Sequence, residues 1–163
     1  MTHAKALGLG LLVAALAVTG CSPQSGTTPT ANDRESETDT GKKAGHTHGK
    51  GPNGGVVFDL GKYHAEFTVD HGKKECMVLV LGQDEKTPTP VATKDLTVTT
   101  RETKTEEGKV VPPMTIKLLP RDESGGKATQ FVGTDPGLGN VADFEGTVLG
   151  EIDGKPSQGE FKE

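Results

Sequence analysis

From residue 56 onward the apolar residues fall in short runs, some alternating with polar residues and some continuous, and each run ends at a cluster of Gly, Pro, Asn or Asp. A period of two is the signature of strands, whose successive side chains point to opposite faces. Val56–Leu60 and residues 62–69 are two such runs joined at Leu60-Gly61-Lys62, and Asp70-His71-Gly72 makes a second turn. The domain therefore opens as a meander. Residues 76–81 (CMVLVL) are unbroken and apolar, long enough for a sheet centre and too short for a helix. Past a polar loop with two prolines over residues 82–90, residues 96–101 (LTVTTR) and 115–119 (TIKLL) alternate as half-buried strands. The polar TKTEEGK between them reads as mobile. Pro112-Pro113 cannot donate ladder hydrogen bonds and marks a strand start or an edge.

Residues 128–132 form another short strand, and residues 134–143 (TDPGLGNVAD) allow one helical turn capped by Thr134 or Asp135, their glycines excluding more. The last hairpin is the clearest. Glu145–Ile152 and residues 155–161 flank Asp153-Gly154, the preferred pair for a type I′ turn. Seven or eight short strands, with turns every eight to twelve residues, predict an all-β domain over residues 51–163, an antiparallel β-sandwich of immunoglobulin-like class.

The first fifty residues carry no such pattern. Lys5 gives a positive start, residues 6–18 are an uncharged apolar run, and Val18-Thr19-Gly20-Cys21 reads as a bacterial lipobox. The expectation is a lipoprotein signal peptide over residues 1–20, cleavage after Gly20 and acyl chains on Cys21. The apolar run falls short of the roughly 20 residues a spanning helix needs, so lipid provides the membrane contact. Residues 22–45 contain no aliphatic side chain larger than alanine. They cannot bury enough surface to offset ordering entropy, so residues 21–50 are expected to be a lipidated, disordered tether.

Composition narrows the function classes. Eighteen Lys and Arg, one of them Lys5 in the leader, stand against twenty-three Asp and Glu. A mildly acidic chain argues against nucleic acid and against a basic membrane-binding face. Lipidation consumes one of the two cysteines, which leaves Cys76 without an intramolecular disulfide partner. Its apolar surroundings mark it as a buried small hydrophobe. Met77 is its neighbour, but consecutive strand residues point to opposite faces and do not chelate one soft ion together.

Candidate chemistry is concentrated between residues 46 and 69. His46 and His48 stand as His-x-His, and His64 and Glu66 share one face of the second strand while Ala65 and Phe67 take the other. The glycines of residues 49–55 allow the first pair to fold back over the hairpin, where four donors suited to zinc or copper would meet. The competing reading is a polar tether end and two solvated residues on an outer face. His71 precedes Gly72 in a turn, where His tolerates left-handed angles better than most residues, and it is kept as a reserve ligand.

The run GPNGGVVFDLGKYHAEFTV, through Gly51, Pro52, Gly54, Gly55, Tyr63, His64, Ala65 and Glu66, resembles a stretch in the small periplasmic domains of heavy-metal efflux adaptor proteins, and more closely free-standing bacterial lipoproteins built around it. This chain carries Asn53 where such stretches usually carry histidine. The resemblance implies a non-catalytic protein that binds a Cu or Zn ion in metal handling or efflux, with an efflux-system or other envelope protein as partner. It also implies a lipid-anchored, periplasm-facing position, at the outer rather than the inner membrane since Ser22 follows Cys21. The chain has no room for the helical hairpin, lipoyl-like domain and barrel of a whole adaptor. The alternative is a structural or interaction module that binds an envelope partner through an exposed edge strand.

Enzyme signatures are weak. Gly137-Leu138-Gly139-Asn140-Val141-Ala142 matches Gly-x-Gly-x-x-Ala but lacks the strand before and the full helix after it. Ser124 and Ser157 lie in polar turns without an elbow or oxyanion motif. The expectation is no enzyme.

Overall fold

The structure is a computed structural model that describes residues 48–163; the leader, Cys21 and nearly all of the tether lie outside that range. Ten strands are formed among the described residues: β1 (Val56–Leu60), β2 (Tyr63–Asp70), β3 (Glu75–Leu81), β4 (Leu96–Thr100), β5 (Thr103–Lys104), β6 (Val110–Val111), β7 (Thr115–Pro120), β8 (Gln130–Thr134), β9 (Glu145–Ile152) and β10 (Lys155–Lys162). Eight belong to one antiparallel sheet in the order β1-β2-β3-β8-β7-β4-β9-β10, and β5 and β6 pair separately. The all-β sandwich expected from the sequence is present. Its two layers are halves of one continuous sheet, curled until it is nearly a barrel.

Local chemistry accounts for most strand ends. Asp153 and Gly154 both take positive φ, 51° and 75°, as a type I′ hairpin requires. The strand expected over residues 128–132 begins two residues later, because one Asp122 carboxylate oxygen accepts the amides of Thr129 and Gln130 at 3.0 and 2.9 Å. That bend delays the ladder. Asp135 caps a single 3-10 turn over Pro136–Gly139 by accepting the Gly137 amide at 2.7 Å. The segment read as mobile is an ordered hairpin, with β5 and β6 laddered and the Thr105 amide donating to the Lys109 carbonyl at 3.0 Å.

The inner face of the sheet encloses the core. Ala65 and Phe67 from β2, Cys76, Val78 and Val80 from β3, and Val98, Leu118, Phe131 and Val148 from the facing strands are all fully buried. The Val, Leu and Phe side chains among them each contribute about 1.5–3 kcal/mol by leaving water.

β1 and β10, the two ends of the sheet, meet at a packed seam without a hydrogen-bonded ladder between them. Phe161 of β10 stacks on Phe67 at 4.0 Å between ring centroids and tilts against Phe58 of β1 at 5.9 Å. Gly159 lies so close to β1 that a Cβ there would stand 2.1 Å from the Asp59 carbonyl oxygen. One end of the seam is tied by Asp153, whose carboxylate accepts from the Tyr63 hydroxyl at 2.6 Å and the Ala92 amide at 3.1 Å and pairs with Lys62 at 3.2 Å. These bonds hold the Asp153 carboxyl down at about 2, the Tyr63 hydroxyl contributing most.

Candidate metal centre

The β1–β2 hairpin fixes the first two residues of the centre. With Leu60 opposite Tyr63 across a two-residue loop, Asp59 falls opposite His64 and Val57 opposite Glu66. Directly opposed side chains share a face, with Cβ atoms about 4.5–5.5 Å apart. The register therefore places a carboxylate beside the His64 imidazole on the face turned away from the main core.

That face is covered rather than solvated. His64 is 7% exposed and Glu66 fully buried, and Val57, Leu79 and Leu81 form a second, smaller apolar cluster. Glu66 holds the segment that precedes β1. One of its carboxylate oxygens accepts the amides of Asn53 and Gly55, each at 2.8 Å, and the other accepts the Asn53 side-chain amide at 2.9 Å. A Cβ on Gly51 would stand 2.4 Å from the Glu66 carboxyl carbon, so the backbone crosses where only glycine fits. The Gly51 amide donates to Gly55 at 3.0 Å and Lys50 bridges Val56, and this reversal delivers His48 to the hairpin.

The loop after β3 supplies the other wall. The Gly82 amide donates to Thr87 at 2.9 Å and the Glu85 amide to Gly82 at 3.1 Å, while Asp84 accepts the amides of Lys86 and Thr87 at 3.1 and 2.9 Å. The Thr87 hydroxyl, which donates to the other Asp84 oxygen, and after it the Thr87 and Lys86 amides keep the Asp84 carboxyl at about 2. The turn presents the Gly82 carbonyl 3.1 Å from His64 Nδ1 and Glu85 Oε1 3.0 Å from His48 Nδ1.

A carbonyl only accepts, so His64 carries a proton on Nδ1, and its Nε2 faces Asp59. His64 Nε2 is 3.4 Å from Asp59 Oδ1, and His48 Nε2 is 3.9 Å from Asp59 Oδ2. The two rings meet edge to face at 5.3 Å. One ligand atom from each of His48, Asp59 and His64 lies within 4.8 Å of the others, which makes the group able to hold a metal ion. A tetrahedral ion with bonds of about 2.0–2.1 Å spaces its donors by about 3.3–3.4 Å, so each pair closes by about 1.5 Å or less to hold it.

Of the ligands expected from the sequence, the structure brings His48 and His64 together. Glu66 is corrected from ligand to staple, because both of its oxygens are held by Asn53 and Gly55. His71 stands elsewhere, its Nδ1 donating to the Leu138 carbonyl at 2.8 Å and its ring 6.2 Å from Phe144. The left-handed residue of its turn is Lys74, at φ 56°, not His71 or Gly72. His46 lies outside the described residues. Cys76 packs in the core as expected, and burial pushes its thiol up to about 12, so it offers no thiolate near neutrality.

Asp59 and Glu85 are the members that the sequence reading missed. Asp59 was within reach, since a two-residue loop at Gly61-Lys62 puts it opposite His64 by counting. Glu85 had no such signal. No protein-family model matches the chain, no curated protein matches it, and no solved structure matches its fold.

Proposed function

We propose that this chain is a non-catalytic, lipid-anchored protein of the bacterial cell envelope that binds a transition-metal ion of the zinc or copper class, in metal handling or efflux. The observation that carries the reading is the convergence of His48 Nε2 and His64 Nε2 on the two oxygens of Asp59. Two imidazoles and a carboxylate suit borderline divalent ions and leave a coordination position for water or for a donor on a receiving protein. The lipobox at residues 18–21 and the resemblance to efflux-adaptor domains support the envelope setting.

Calorimetric titration of the purified protein with Zn²⁺ and Cu²⁺ tests it. One ion per chain, bound tighter than about micromolar or roughly 8 kcal/mol, is the expected result, and His64→Ala or Asp59→Ala should lower affinity at least about tenfold. Unchanged titrations in both variants would remove the site. At about a hundred times Kd the ion should add about 2.7 kcal/mol of stability, raising Tm by roughly 8–16 °C for a domain of this size. A chelator should return Tm to the metal-free value.

A further inference from the structure

A second carboxylate stands beside both imidazoles, and we propose that Glu85 is the positioning residue of the metal centre, fixing the His48 ring for the ion and adding the negative charge that favours a divalent one. The inference rests on the metal-binding reading above and extends it to the turn over residues 82–87.

Glu85 Oε1 is 3.0 Å from His48 Nδ1 and 3.7 Å from His64 Nε2. A carboxylate at that distance accepts the Nδ1 proton, which leaves Nε2, the nitrogen facing Asp59, as the metal donor. Carboxylates that hold a ligating imidazole through its far nitrogen set ring orientation and raise ligand basicity. The same turn gives His64 its acceptor, the Gly82 carbonyl. A single loop thus sets both tautomers.

Backbone conformation provides a separate argument. Glu85 sits at φ 59°, in the left-handed region where a residue with a Cβ is strained and glycine is at ease. Nothing in the turn's hydrogen bonding needs a glutamate at that position, since the closing bonds use backbone amides and the Asp84 carboxylate. Among the described residues the side chain's polar contacts are with the two histidines. Asp59 and Glu85 set two carboxyl groups beside imidazoles whose side chains are 13% and 9% exposed.

The test combines affinity, stability and tautomer state. Zn²⁺ and Cu⁺ affinities of the purified full chain, from chelator competition, are compared with those of Glu85→Gln and Glu85→Gly. Long-range ¹H–¹⁵N spectra of the metal-free proteins report which imidazole nitrogen carries the proton. Glu85→Gly should keep or raise Tm, because it relieves the left-handed strain, yet lose about 10- to 100-fold in Zn²⁺ affinity and release the His48 tautomer. Glu85→Gln keeps an acceptor without the charge, so it should retain the tautomer and lose at least about tenfold more Zn²⁺ than Cu⁺ affinity. Wild-type Zn²⁺ affinity in Glu85→Gly, or a His48 protonated on Nε2 in the wild type, would overturn the proposal and leave the three-residue centre standing. A wild type that binds no Zn²⁺ would overturn both.

Discussion

At the scale of single residues, two acids two positions from a histidine or facing it have opposite jobs. Asp59 is about one-third exposed and faces two imidazole nitrogens. Glu66 is fully buried and spends both oxygens on Asn53 and Gly55. Strand alternation made it legible that His64 and Glu66 share a face, but not which partners each would meet, because those come from a glycine-rich segment without periodicity. Glu66→Gln should turn an amide N–H toward groups that are themselves donors and cost about 1–3 kcal/mol, measured by urea unfolding. It should also weaken metal binding without touching a ligand, since the segment that carries His48 loses its anchor. Equal affinity in Glu66→Gln and wild type would separate that segment from the site. Cys76, with its thiol raised to about 12 by burial, should react with an alkylating reagent only as fast as the domain opens. Mass spectrometry of labelling against urea checks this, and rapid labelling in native buffer would contradict the packing.

At the scale of elements, turns that depend on a residue's own backbone preference were readable, and turns made by distant side chains were not. Asp153-Gly154 announced a type I′ hairpin and forms one. The start of β8 slipped because Asp122, seven residues before Thr129, captures its first amides. Glu85 was hidden for a different reason: Asp84 closes its turn locally, but no strand register ties that turn to the histidines. The β9–β10 turn carries a pH signature. Its Asp153 carboxyl lies at about 2 in the folded state, against an ordinary 3.8. A depressed carboxyl stabilises the fold above its unfolded value, and that contribution is lost as pH falls from about 3.8 through about 2. Asp153→Asn keeps a residue that tolerates the left-handed angle and removes the charge. It should be less stable than wild type at pH 7, with most of that gap closed at pH 2, by thermal unfolding. A difference that persists undiminished at pH 2 would assign the effect to turn geometry instead.

At the scale of the whole molecule, the sequence predicted strands and a sandwich but not their order. Neighbours such as β3–β8 and β4–β9 are joined across long intervals, and no local pattern encodes which distant strand completes a row. The curl of the sheet bears on the competing view of an interaction module. Docking by strand addition needs an accessible edge, and here β1 and β10 shield each other, with Gly159 against the Asp59 carbonyl and Phe161 stacked on Phe67.

That seam also sets an order of events in time. The first strand of the sheet waits for the last, because β1 is laddered only to β2 and finds its second flank in β10. Contacts so far apart in sequence carry a large loop-closure cost before they contribute, which slows folding toward milliseconds to seconds. The β1–β2 and β2–β3 hairpins can form early, whereas the outer flank of β1, with Asp59 on that strand, is packed only at the final step. In pulsed hydrogen exchange during refolding, amides of β1 and β10 should gain full protection together and later than those of β2 and β3. A chain still missing β10 would hold Asp59 opposite His64 in the β1–β2 hairpin with the outer flank of β1 bare, so the surroundings of the ion stiffen only as the seam closes.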